Sequence, residues 1–216
     1  MIERYALLLA VGYLVGSVPL GLYAARYGLQ RRGLSTGAAN VAPLDLYRRS
    51  GLDRRSAGLA FSLELLKGFV PTFTGYLALG TPGALSGGSA TLVGHSFPFF
   101  GLLRGSNSLA PFLGVLLAVY PLVVVILGMV WAAAVAAWRY ASLAALVTAA
   151  VSPLALAALD AGGPDEGAVV GFSVLWALLV FFAHRENIRR LVSGREARIS
   201  APAGERGEAR RERRVR

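Results

Sequence analysis

"LAPFLGVLLAVYPLVVVILGMVWAAAVAAW", running from Leu109 to Trp138, contains no charged residue, and the dipeptide Tyr120-Pro121 is what divides it. About 20 apolar residues in a helix cross a bilayer core. Read as one unit, the stretch gives a six-helix chain. Divided at Tyr120-Pro121, it gives a fourth and a fifth segment, one of them short or tilted, and seven helices in all. The reading of this stretch therefore sets the topology.

The rest of the chain has the same character. Its 216 residues are 55% hydrophobic but carry a formal charge of +10, and the mean hydropathy is +0.56. A water-soluble domain of this length would need far more polar surface. Apolar segments fall at roughly 5–25, 57–79, 85–103, 109–120, 121–138, 141–160 and 167–184, the third interrupted by Gly94 and Pro98. The expected fold is an all-α, polytopic integral membrane bundle over residues 1–200, with seven transmembrane helices. Residues 201–216, "APAGERGEARRERRVR", have no apolar periodicity and read as a disordered arginine-rich tail.

Loop charges choose between six and seven. Arginines 26, 31, 32, 48, 49, 54 and 55 crowd the first connection, and the next has no charge. Arg104 marks the third and Arg139 the fifth, while the sixth holds only Asp160, Asp165 and Glu166. The segment from Arg185 onward carries eleven arginines against five glutamates. Positive and non-positive connections alternate, as seven crossings predict when the N-terminus lies outside and the C-terminus is cytoplasmic. The first apolar run lacks a small-residue cleavage site and reads as a retained span. Nearly all the charge lies between or beyond the apolar runs, which argues against nucleic acid as a partner. The tail arginines suit anionic lipid head groups.

Absence of cysteine excludes disulfides, thiol chemistry and thiolate-held metals. His95 and His184 lie far apart with no metal-ligand spacing, so no metal is expected. The chain shows no internal repeat and no inverted pair of broken helices, which counts against a transporter. The unusual polar residues fall in or beside the connections expected on one membrane face: 26–56, 103–108, 139–141 and the chain after 183. They include Asn40 and Arg48, Gly105 and Asn107, Arg139 and Ser142, and His184 and Asn187, the last two sharing a helix face. Arginines, amides and backbone donors suit a phosphate group, and a histidine beside them suits general-base work. Each residue alone also has a structural reading, as a topology signal or a cap. Deeper in the bundle, Glu64 and Lys67 are three apart, a spacing that lets them neutralise each other or face a site. His95 reads equally as a structural group bonded to a freed carbonyl or as a ligand.

Five ordered motifs carry a resemblance: "GSVPLG" at Gly16–Gly21, "ELLKGFVP" at Glu64–Pro71, "GHSFPFF" at Gly94–Phe100, "RYASL" at Arg139–Leu143 and "HRENIRRLVSGRE" at His184–Glu196. The chain resembles the bacterial acyl-phosphate-dependent glycerol-3-phosphate acyltransferases, from about Gly16 to Glu196. The resemblance implies a seven-helix enzyme of the bacterial inner membrane. Such an enzyme moves a fatty acyl group from acyl phosphate to the 1-hydroxyl of glycerol 3-phosphate, without metal or cofactor. It also implies roles: His184, Asn187 and Ser142 in catalysis, and Asn40, Arg48, Lys67, Gly105, Asn107 and Arg139 in holding substrate. The chain departs from the family pattern at Ala38 (Ser in the family), Leu44 (Thr), Asp45 (Asn), Asn107 (the phosphate-binding Lys) and Pro111 (Thr). Glu64 replaces an Asp. These departures frame the alternative, a related chain that binds acyl or phosphate ligands, or pairs with an active homologue, without turnover.

Overall fold

The computed structural model describes residues 1–30, 54–99, 109–159, 163–196 and 198–199, and among these the regular elements are helices. In chain order they are α1 (Ile2–Ser17), α2 (Leu20–Gln30), α3 (Arg54–Ser96), α4 (Leu109–Val119), α5 (Pro121–Trp138), α6 (Ala141–Leu159), α7 (Glu166–Ala183) and α8 (Arg185–Val192). The Tyr120-Pro121 division holds. Tyr120 leaves helical geometry (φ −126, ψ 65) and Pro121 opens α5. Proline lacks an N–H and disfavours helical geometry in the residue before it.

One boundary differs from the sequence expectation. The first apolar segment is two helices, because Pro19 breaks it after Ser17 and leaves Val18 extended (φ −78, ψ 122). The 57–79 and 85–103 segments are two helices, as expected, and form the two arms of α3, between which the chain turns back at Leu79 (φ −144, ψ 16) and Gly80 (φ 67, ψ −154). Gly80 supplies the positive φ that this reversal requires. The second arm then runs helically through Gly94 and stops at Ser96, ahead of Pro98.

Gly94 continues as helix because its missing side chain is used for packing. A Cβ there would collide with the Tyr13 carbonyl, and one on Gly16 with the Thr91 carbonyl, so α1 lies almost backbone to backbone on α3. The α3–α4 contact uses the same device, with Gly68 against the Pro111 carbonyl and Gly114 against that of Leu65. Small residues at crossings are how helices gain close packing where burial from water provides no drive. Elsewhere α6 and α7 are tied by a 2.9 Å bond between the Ser152 and Ser173 hydroxyls. The core that joins α3 and α4 to α5–α7 is built on Leu92, Phe112, Leu127, Leu156, Phe172 and Trp176.

The outer surface is apolar. Leu7 (65% exposed), Leu77 (71%), Leu154 (71%) and Leu178 (63%) project from four different helices. Exposed apolar area on this scale is not seen around a water-soluble monomer. Four stretches, Ile2–Gly28, Pro121–Trp138, Ala141–Leu159 and Glu166–Ala183, are long and apolar enough to cross a membrane, and α4 is a shorter apolar helix. The chain is an integral membrane protein.

Candidate functional site

α7 ends at His184, where the chain bends (φ −90, ψ 10) before α8 resumes. The His184 side chain is fully buried, and its Nδ1 lies 2.9 Å from the Val180 carbonyl. A carbonyl only accepts, so Nδ1 carries the proton. In the neutral ring Nε2 is then the accepting nitrogen.

One turn on, α8 presents Asn187, whose Nδ2 donates to Glu196 Oε1 at 2.9 Å. Ser142, at the start of α6, donates to the same oxygen at 2.7 Å. Arg190 Nε reaches Glu196 Oε2 at 2.6 Å. One carboxylate therefore gathers side chains from α6 and α8. Burial raises the pKa of Glu196, but the donors Asn187, Ser142 and Arg190 outweigh it and hold the carboxyl below its ordinary value.

The chain after Glu196 keeps to the α5–α6 turn. Arg139 Nε donates to the Ile199 carbonyl at 3.2 Å, and the Ile199 N–H returns to the Arg139 carbonyl at 2.6 Å. Arg198 Nε meets the Tyr140 hydroxyl at 3.0 Å, with its guanidinium 5.4 Å from the ring centre. Arg139 ends α5 in the left-handed region (φ 61, ψ 23), an uncommon place for a residue with a side chain. Non-glycine residues held there often sit at functional positions.

Of the sequence-predicted residues, Ser142 and Asn187 meet at Glu196, with Arg139 three positions before Ser142 and His184 three before Asn187. Asn40, Arg48, Gly105 and Asn107, together with Ala38, Leu44 and Asp45, lie outside the described residues. Lys67 is buried against Glu64 and His95 (2.7 and 2.9 Å from its Nζ). Sequence reasoning missed Glu196 and Arg190 as site residues. Both stand inside the "HRENIRRLVSGRE" motif, and the acid at its end was the available signal.

Among the described residues no group of three or more His, Asp or Glu side chains could hold a metal ion. A glycerol-3-phosphate acyltransferase family profile matches residues 6–194, nearly the whole helical body. The chain belongs to the glycerol-3-phosphate acyltransferase family. A family member from Geobacter sulfurreducens is 37% identical over 198 residues, covering 90% of this chain and 97% of the relative. Another, from Jannaschia sp., is 38% identical over 204 residues, covering 92% and 97%. Among solved structures, the integral membrane glycerol 3-phosphate acyltransferase PlsY in its glycerol 3-phosphate form superposes with a TM-score of 0.77. It is 32% identical and covers 91% of this chain and 96% of PlsY. The lysophosphatidic acid form of PlsY gives 0.76 at 31% identity, covering 90% and 94%. Within the acyltransferase family frame, the "RYASL" and "HRENIRRLVSGRE" motifs are the two that Glu196 joins.

Proposed function

We propose that this chain is a membrane glycerol-3-phosphate acyltransferase that takes its acyl group from acyl phosphate and makes lysophosphatidic acid. The observation that carries the reading is the meeting of Ser142, Asn187 and Arg190 on Glu196, beside the end of a helix that holds His184 with a set tautomer. The relatives are named as enzymes over nearly their whole length, so the non-catalytic alternative draws no support from them.

The 1-hydroxyl oxygen of glycerol 3-phosphate attacks the acyl carbonyl carbon. An ester C–O bond forms, the C–O bond to phosphate breaks, and inorganic phosphate leaves. His184 Nε2 is the acceptor for the hydroxyl proton. Asn187 and Ser142 orient the two substrates, and Arg139 and Arg48 hold phosphate oxygens, with Asn40, Gly105 and Asn107 in the same substrate site. Placement and charge stabilisation suffice for such a transfer, because the leaving group is already activated. Lys67, paired with Glu64, is read as a positioning group rather than as a direct substrate ligand.

The accompanying topology is seven crossings, with the N-terminus outside and the site on the cytoplasmic face of a bacterial inner membrane. The two arms of α3 count separately in it, and α4 is a short crossing. Residues 1–200 are read as one domain, and the arginine-rich stretch 201–216 lies outside the described residues. The deciding experiment supplies purified protein with acyl phosphate and glycerol 3-phosphate and measures lysophosphatidate and phosphate. Wild type produces both in equal amounts, and His184→Ala loses at least about a hundredfold in rate, the low end of what a positioned base contributes. Undiminished product from His184→Ala removes that residue from the mechanism, and no product from wild type removes the reading.

A further inference from the structure

The Pro19 break places the carbonyl end of α1 beside the N-terminal end of α2, inside an apolar bundle. The partial charges at these ends are negative and positive respectively. Two buried charges of α3 meet them. Lys67 Nζ donates to the Val18 carbonyl at 3.1 Å, on the α1 side. The Gly21 N–H, in the first turn of α2, donates to Glu64 Oε1 at 2.8 Å. Each charge faces the helix end of opposite sign, while the two charges bind each other at 2.7 Å.

Three groups surround the Lys67 ammonium: Nζ pairs with Glu64 Oε2 at 2.7 Å, lies 2.9 Å from His95 Nδ1, and donates to the Val18 carbonyl at 3.1 Å. With Lys67 as the donor, His95 Nδ1 accepts and its ring is the neutral Nε2–H tautomer, and in that state its 3.4 Å approach to Glu64 Oε2 is not an ion pair. His95 brings in the second arm of α3, so three separate segments converge on one ammonium. The fit also depends on Gly21, where a Cβ would sit 2.7 Å from Glu64 Cγ.

An ion pair that only neutralised itself would need neither helix end. We propose that Glu64, Lys67 and His95 are positioning residues. They form a charge-matched splint across the α1–α2 break, which sets the direction of α2. Asn40 and Arg48 follow α2 in the sequence, and the consequence for catalysis rests on their proposed substrate-binding role.

The chain has no cysteine, so spin labels on Gln30→Cys at the end of α2 and Leu77→Cys in α3 report the direction of α2. The exchange Glu64→Lys with Lys67→Glu keeps the pair neutral but turns each charge to the wrong helix end. It is expected to broaden the label distance distribution and raise the KM for glycerol 3-phosphate about tenfold, with kcat changed less than about threefold. Glu64→Asp, which preserves the charge pattern, is expected to restore both readouts. If the exchange variant cannot be recovered folded, Gly21→Ala displaces the carboxylate without altering any charge and should broaden the distances likewise. A wild-type distance distribution in the exchange variant, or in Gly21→Ala where it stands in, overturns the splint. Because the distances need no substrate, an inactive wild type would refute the enzyme reading and leave the splint to be decided by the label distances alone.

Discussion

Replacing Glu196 with alanine removes three contacts at once, and their sizes can be worked out separately. Ser142 and Asn187 each give a hydrogen bond to a charged oxygen, at 2.7 and 2.9 Å. A bond to a charged group contributes about 1.5–3 kcal/mol when well buried, and partial exposure brings these to about 1 kcal/mol apiece. The Arg190 side chain is 41% exposed, so its 2.6 Å pairing with Glu196 is worth about 1 kcal/mol after solvent screening. The sum is about 3 kcal/mol, which for a chain of this size lowers the midpoint of thermal unfolding by about 6–12 °C. Glutamine at this position keeps a carbonyl oxygen for Ser142 and Asn187 but turns an amide N–H toward Arg190. Glu196→Gln therefore forfeits about a third of the stability that alanine forfeits.

The assay is stepwise heating in detergent followed by gel filtration of the surviving monodisperse protein. The pH dependence has a fixed sign. The native carboxyl titrates below its ordinary value, so its contribution is complete above the unfolded pKa and is lost as pH falls through the depressed native pKa. The margin of wild type over Glu196→Gln should hold steady from neutral pH to about 5 and close below that. A Glu196→Ala midpoint within about 2 °C of wild type would contradict the clamp, since that is under 1 kcal/mol.

Gly16→Val forces a side chain into the Thr91 backbone, and overpacking of this kind costs about 1–3 kcal/mol. Its yield of folded protein should fall sharply, while Gly171→Ala, with nothing within 4 Å of the added methyl, stays at wild-type level in the same gel-filtration measurement. Arg139→Gly relieves a left-handed backbone (φ 61) by about 1 kcal/mol and discards a proposed phosphate ligand. It should match or exceed wild-type thermal stability while losing acyl transfer, so a loss of both would make Arg139 structural first.

The helices are legible in the sequence because length and apolarity alone decide what a bilayer core accepts. Tyr120-Pro121 reads as a division because it separates two runs. Pro19 gives no such signal, because it sits inside a single run, where a proline can either kink a helix or end it. Gly94 looks like an interruption for a related reason. A glycine's cost to a helix is visible locally, whereas the carbonyl of Tyr13 that needs its empty side is 81 positions away in the chain and appears only in the packing.

The same distinction governs the two polar clusters. Spacing alone pairs Glu64 with Lys67, yet what the pair does depends on Val18, Gly21 and His95, which only the α3 reversal and the Pro19 break bring near. Glu196 lies in a segment so rich in arginine that an acid there reads as one more solvated charge. What makes it different is the set of donors facing it, two side chains of α8 and one of α6. A carboxylate enclosed by Ser142, Asn187 and Arg190 has fixed geometry, and it fixes theirs in turn. Motif residues that look like independent candidates in the sequence are thus mechanically one unit. Their substitutions should be non-additive: Ser142→Ala combined with Asn187→Ala should lose less stability than the two single losses summed, because the first removal already loosens the shared carboxylate.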